Sequence, residues 1–226
     1  MRREHAREKT KRWLLLLVGL LFVEFGVGLI IRADVGVFPT TCFPFVISNV
    51  AGITMGKAVI IFQSALILGQ LLILRKKYKI VMLLQIPVGI CAGYIMDFAL
   101  FVLGSLSHLE YLMRWVLFLA GNLISAIGMS IEVIAGVATL PTEGFVIAVC
   151  EVLSIRFGSM KIVFDLFLVF VSLIGSLLFL HRVIGIREGT LLSAIFLGYF
   201  SKHFINVFQK CYDKETIKRK NDKKEI

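Results

Sequence analysis

The feature that most constrains this chain is an internal repeat in which each copy has an odd number of apolar segments. Residues 26–63 and 126–165 follow one pattern. The matched positions are Gly28, Gly36 and Val37 with Gly128, Gly136 and Val137, then, after a two-residue insertion, Pro39, Thr40, Phe43, Gly56 and Phe62 with Pro141, Thr142, Phe145, Gly158 and Phe164. Because each half has three segments long enough to cross a bilayer, the second copy should enter the membrane inverted. Inverted repeats interrupted by Gly and Pro are typical of secondary transporters.

The composition indicates an integral membrane protein. The 226 residues are 58% hydrophobic and 18% charged, with a mean hydropathy of +0.88, which no soluble domain of this size accommodates. We predict an all-α polytopic protein with one three-span repeat in 13–103 and a second, inverted repeat in 112–208. The six spans are 13–31, 56–74, 80–103, 112–135, 159–180 and 188–208. No small-residue cleavage site follows the first span, so we expect it to remain uncleaved.

The basic residues are concentrated beside the apolar segments. With the N-terminus inside, the cytoplasmic segments hold 20 of the 25 Lys and Arg residues and the outer segments hold 5. This bias fits the positive-inside rule, so both termini should be cytoplasmic tails, 1–12 and 209–226, of a cell-membrane protein. Contact with anionic lipids is expected, whereas nucleic-acid binding is not. A cysteine label should reach Ser107 from outside and Lys77 only from inside.

Two apolar segments, 36–52 and 136–155, are too short and too interrupted by Gly and Pro to cross as straight helices. A proline fits the first turn of a helix, where its missing N–H is no loss. Pro39 and Pro141 therefore predict short half-helices that re-enter the membrane from opposite faces. The alternative is a pair of amphipathic linkers lying flat at each interface.

Cysteines and histidines are dispersed without metal-ligand or disulfide spacing. The chain also lacks GxSxG, HExxH and phosphate-binding loops. We therefore predict no metal, no other cofactor and no enzymatic activity.

Small residues recur at an offset of 105 in the third and sixth spans. Gly89 and Gly93 correspond to Ala194 and Gly198, and such spacing allows close helix packing in a bilayer. Rocking between the repeats, static packing and homodimerisation all remain open.

The run from Gly28 to Gly36 (GLIIRADVG), followed by Pro39, resembles the signature of the bacterial YczE/YyaS/YitT membrane proteins. The stretch from Gly136 to Gly144 and the pair Lys161 and Asp165 resemble the second half of that family. The resemblance covers nearly all of 13–208 and implies the membrane fold more than a function. The chain departs from it after Pro39, where an aromatic residue and an acid are frequent and this chain has two threonines.

Charged side chains inside a bilayer cost about 2.5–3.5 kcal/mol each, so they generally face a cavity or a partner. We predict that eight polar residues converge on one central cavity, with Asp165 as the titrating group. They are Glu24, Thr40, Thr41, Gln63, Asn122, Thr142, Glu143 and Asp165. Gln63 and Asn122 have an alternative interpretation as interhelical hydrogen bonds. Glu132 and Glu151 are placed near the cytoplasmic ends and are weaker candidates.

Arg32 and Asp34 flank the outer end of the first span. Their proximity in sequence predicts a local ion pair that fixes the break in the chain. The alternative is a gate at the outer mouth.

The favoured function is alternating-access transport of a small zwitterionic or cationic solute, with proton coupling as one option. One alternative is the substrate-binding subunit of an energy-coupling-factor type importer, which would dock an ATPase module. Another is a sensor or assembly factor that does not transport and binds a cytoplasmic partner through its basic tail.

Overall fold

The computed structural model describes residues 2–106 and 110–222, so the proposed labelling position Ser107 lies outside the described part. Within it the chain is helical without strands. The helices are α1 (Arg2–Ala33), α2 (Pro39–Ala51), α3 (Met55–Leu74), α4 (Gln85–Val102), α5 (Tyr111–Ala135), α6 (Pro141–Leu153), α7 (Phe157–Leu180) and α8 (Glu188–Asp222). Three 3-10 turns lie at Arg75–Lys77, Ile80–Leu84 and Leu103–Leu106.

Six of these elements are long and apolar enough to cross a membrane. They lie in α1, α3, the segment Ile80–Leu106 that contains α4, α5, α7 and α8. The predicted all-α architecture, with six helices of membrane-spanning length and hydropathy, is therefore confirmed.

The terminal helices are longer than the sequence predicts. The basic tails predicted at 1–12 and 209–226 continue α1 back to Arg2 and α8 on to Asp222. The physical reason is that neither junction contains a Gly or Pro that would end a helix.

The two short helices α2 and α6 begin at Pro39 and Pro141, and each has 13 residues. At about 1.5 Å per residue, each is about 20 Å long, which is less than the hydrocarbon core of about 30 Å. Each ends at a left-handed residue, Gly52 at φ 64° and Ser154 at φ 54°, and a tight turn leads directly into the next long helix.

Several local features recur at a constant offset along the chain. The bounds of α2 recur in α6 at an offset of 102, as do the starts of α3 and α7. Phe43 lies edge-on to Phe62 with ring centroids 5.4 Å apart, and at the same offset Phe145 lies 5.4 Å from Phe164.

The centre of the bundle is the pair α1 and α5, which cross closely because glycines meet glycines. A Cβ added at Gly19 would lie 3.0 Å from the Gly128 carbonyl, and one at Gly121 would lie 2.7 Å from the Gly26 carbonyl. Early residues of α1 thus meet late residues of α5, so the two helices are antiparallel. Small residues of this kind allow backbones to approach in a bilayer.

The remaining helices surround this pair. α4 packs against α1 and α3, and α8 packs against α5. Each short helix contacts α3 and α7, so that α2 and α6 each bridge the two halves of the chain.

Candidate solute cavity

A cavity of about 840 Å³ lies between the ends of several helices. Its walls come from the starts of α2 and α6, the end of α5, the first turns of α7, the middle of α8 and the turn before α4. Most of the lining is apolar: Phe38, Pro39, Val81, Met82, Met129, Val133, Val137, Leu140, Ile147, Phe157, Ile162 and Leu197. A pocket of this size, apolar with a few polar groups, suits a small organic molecule.

Three carboxylates and one ammonium group lie among the described cavity residues. Glu143 accepts a hydrogen bond from the Thr142 hydroxyl at 2.8 Å, and Asp165 is paired with Lys161 at 2.6 Å. Glu132 is only 7% exposed, and its Oε1 has no hydrogen-bond partner in the described part of the chain. The formal net charge of the described lining residues is therefore negative.

The ion pair on α7 is arranged against the usual helix preferences. Lys161 lies in the second turn, near the positive end of the helix dipole, and it precedes Asp165 by four residues, which is the weaker order for such a pair. The two side chains are only about a quarter exposed. A pair in this position is better explained by the cavity that it lines than by helix stability.

Two buried glutamines, which the sequence analysis did not select, form hydrogen bonds to the residues at the start of α6. The Gln70 amide donates to Gln85 Oε1 and to the Pro141 carbonyl, both at 3.0 Å, and Gln85 donates to the Thr139 hydroxyl at 3.3 Å. This network connects α3 and α4 to the wall of the cavity. The sequence feature that could have identified these two glutamines is that each is a polar residue in an apolar segment.

Thr40, in the first turn of α2, also lines the cavity. Pro44 lies inside this helix, and it has no N–H to donate to the Thr40 carbonyl four residues earlier. The turn of α2 that borders the cavity therefore has a backbone carbonyl, that of Thr40, without the usual helical donor.

The two helix pairs α3/α4 and α7/α8 differ sharply at matched glycines. A Cβ added at Gly56 would overlap the Gly93 carbonyl and lie 2.6 Å from Asp97 Cγ, and one at Gly93 would lie 2.5 Å from Ile60. At the repeat mates Gly158 and Gly198, no atom lies within 4 Å of an added Cβ. In the described part of the chain α7 and α8 make no packing comparable to that of α3 and α4, and the cavity occupies the space beside them.

At the opposite end of the bundle the helices are fastened together. Asp34 pairs with Arg187 at 3.1 Å and with Arg114 at 3.6 Å. Backbone bonds also run from Val37 N to the Gly185 carbonyl and from Gly189 N to the Val35 carbonyl. The ends of α1, α5 and α8 that lie away from the cavity are therefore connected.

This arrangement corrects the predicted ion pair between Arg32 and Asp34. Arg32 instead donates to the Leu100 carbonyl at 2.6 Å. Asp34 is turned away by its left-handed backbone, φ 52°, toward arginines from other helices. Proximity in sequence was a poor guide because Ala33 ends α1 between them.

Only part of the predicted polar set meets at the cavity. Thr40, Glu143 and Asp165 line it. Thr142 is not part of the lining, but its hydroxyl donates a hydrogen bond to Glu143. The others lie outside its lining. Glu24 is buried in α1, Thr41 is buried in α2, Gln63 lies beside Gly89, and Asn122 donates to the Phe118 carbonyl in its own helix. The physical reason is that depth along a span does not fix the direction in which a side chain points.

The small residues predicted to pack helices divide in the same way. Gly89 and Gly93 lie against α3, where an added Cβ would meet Gln63 or Ile60. Ala194 and Gly198 line the cavity.

Glu132, which the sequence analysis treated as a weaker candidate near the cytoplasmic end, is buried and lines the cavity.

Residues 10–206 match DUF6198, a family of unknown function. The match covers most of the chain, which therefore belongs to this family. The resemblance to the YczE/YyaS/YitT proteins stays a prediction. No curated protein and no solved structure matches the chain.

Proposed function

We propose that the protein is a membrane carrier that moves a small, positively charged or zwitterionic solute by alternating access. In this proposal the two halves are inverted repeats, α2 and α6 are re-entrant half-helices, and both termini are cytoplasmic. The described state is then open toward the cytoplasm, because the cavity lies at the end of the bundle where α1 begins and α5 ends.

The observation that carries the proposal is the difference between the matched pairs α3/α4 and α7/α8. One pair is closed through Gly56 and Gly93, and the other is open at Gly158 and Gly198. Two repeats of similar sequence in different arrangements are what alternating access requires, since exchanging the arrangements moves the opening to the other face. The ion pairs of Asp34 supply the closed outer end.

The acidic lining favours a cationic group on the solute. Glu132, Glu143 and Asp165 face a cavity with one described counter-charge, Lys161. A cavity with net negative charge and low-dielectric walls concentrates cations. Anionic solutes are correspondingly disfavoured.

The proposal is tested by disulfide cross-linking in a background in which Cys42, Cys91, Cys150 and Cys211 are replaced by alanine. Cysteines at Gln63 and Gly89 should cross-link at once, because a Cβ added at Gly89 lies 3.7 Å from Gln63 Cβ, a separation that suits a disulfide. Cysteines at the matched positions Asp165 and Ala194 should cross-link slowly, and only through excursions to the outward-open state.

The two pairs should also be coupled. When the α3/α4 cross-link has formed, the outer side cannot open, so the α7/α8 cross-link should no longer form. A static protein would give no α7/α8 cross-link in either case, and a protein with independent helix motions would give the same rate in both. Either result would contradict alternating access.

A further inference from the structure

Glu132 is a buried carboxylate for which the described chain supplies no counter-charge. The ion pairs among the described residues use Asp34, Glu151 and Asp165 as the acids, and Glu132 is in none of them. Its Oε1 has no hydrogen-bond partner either. A buried carboxylate without a partner is costly, and a bound cation would supply the missing counter-charge.

The side chain of Glu132 fits closely against the neighbouring helix α1. Its Cγ lies against α1 where Gly19 has no side chain, and a Cβ added there would lie 2.6 Å from that atom. The close approach of α1 and α5 therefore holds the stem of the glutamate. Glu132 is also one of the residues that line the cavity.

Glu143 lines the same cavity as Glu132, and Glu24 is buried in α1, the helix that packs most closely against α5. The region thus combines three acids, and the lysine in the cavity is already paired with Asp165. A bound cation would pair favourably with this group of acids, because opposite charges attract strongly where water is partly excluded.

The lining of the cavity indicates an organic cation. Besides Glu132 it includes the apolar residues Met129 and Val133 of α5, Phe157 of α7 and Leu197 of α8. No cluster of three or more His, Cys, Asp or Glu side chains suited to a metal ion occurs in the described residues. An inorganic cation would gain nothing from the apolar walls.

We infer that Glu132 binds the ammonium group of an organic amine whose apolar body fills the cavity. This inference rests on the proposed function and names its substrate class. It also assigns the main binding role to Glu132, while Asp165 remains paired with Lys161.

The test is a binding assay with three probes that share a phenyl group on a short chain and differ in charge. Phenethylamine is the cation, 2-phenylethanol the neutral analogue and 3-phenylpropionate the anion. Isothermal titration on the purified full chain should detect phenethylamine binding, with affinity at least tenfold above that for the other two. Equal binding of all three, or no binding of the amine, would overturn the inference.

Variants at Glu132 then locate the charge. Glu132→Gln keeps the stem on Gly19 and should lower phenethylamine affinity at least tenfold, whereas Glu132→Asp keeps the charge and should retain selectivity for the amine at reduced affinity. Glu151→Gln is the matched control, because Glu151 pairs with Lys77 and lies outside the cavity lining. Unchanged phenethylamine affinity in Glu132→Gln would overturn the inference even if its Tm falls.

These binding experiments test the amine site independently of the carrier proposal. Amine binding that depends on Glu132, without coupled cross-linking of α3/α4 and α7/α8, would keep the site and reject the carrier. Coupled cross-linking with amine binding that is indifferent to Glu132→Gln would keep the carrier and reject the site.

Discussion

The substitution Gly56→Ala, compared with Gly158→Ala, measures the difference between the two helix pairs. Both glycines are the second residue of their helices, α3 and α7, and they correspond in the repeat. An added Cβ at Gly56 would overlap the Gly93 carbonyl and lie 2.6 Å from Asp97 Cγ. An added Cβ at Gly158 would meet nothing within 4 Å.

The magnitude follows from the contacts at the start of α3. Asp97 accepts from Gly56 N and from the Thr54 hydroxyl, both at 2.7 Å. Displacing this carboxylate loses hydrogen bonds to a charged group, about 1.5–3 kcal/mol, and overpacking adds about 1–3 kcal/mol. The better helix propensity of alanine returns about 1 kcal/mol. We expect Gly56→Ala to lower the free energy of unfolding by about 3 kcal/mol.

For Gly158→Ala only the propensity term remains, so the free energy of unfolding should stay unchanged or rise by about 1 kcal/mol. With about 2–4 °C per kcal/mol for a chain of this size, Gly56→Ala should lower Tm by about 6–12 °C, and Gly158→Ala should not lower it. Differential scanning fluorimetry of the purified proteins in one detergent measures both. Equal decreases in Tm would show that α7 and α8 are packed as closely as α3 and α4, which would refute the asymmetry on which the carrier proposal depends.

Three further predictions concern the polar contacts. Asp34→Asn should lower the free energy of unfolding by no more than about 1 kcal/mol, because the ion pairs with its two arginine partners are partly exposed. It should nevertheless speed the α7/α8 cross-link, since the outer end opens more often, and an unchanged rate would exclude a gating role. Gln70→Leu should lower the free energy of unfolding by about 1–3 kcal/mol, because buried Gln85 and the Pro141 carbonyl lose their donor; a Tm equal to that of the parent would contradict this network. Asp165→Asn should leave expression intact and, if this group couples a proton, should remove the pH-gradient dependence of flux; flux that keeps the dependence would reject coupling through this residue.

The sequence alone determined which segments of the chain are helical, although not how far α1 and α8 extend. Span length, hydropathy and the prolines that open α2 and α6 are local properties, because a helix forms from the backbone bonds of its own residues and a bilayer requires those bonds to be satisfied within each segment. The short helices accordingly begin at Pro39 and Pro141, inside the segments predicted as broken.

The composition of the cavity was only partly determined by sequence. Counting residues along a span estimates the depth of a side chain, and it selected Asp165, which lines the cavity; Glu143, selected from the broken segment, lines it as well. It does not give the face of the helix that looks into the bundle, which depends on how neighbouring helices cross. Glu24 therefore lies outside the cavity lining, whereas Glu132, the weaker candidate by depth, is part of it.

The difference between the helix pairs α3/α4 and α7/α8 was decided by tertiary structure alone. Gly56 and Gly158 occupy matched positions of one repeated pattern, so nothing in that pattern predicts that one is closed against its neighbour and the other is open. The reason is that the packing of each pair depends on how its helices cross their neighbours, which a local sequence pattern does not specify. Here Asp34 and the start of α8 hold one end together, and the cavity lies at the other.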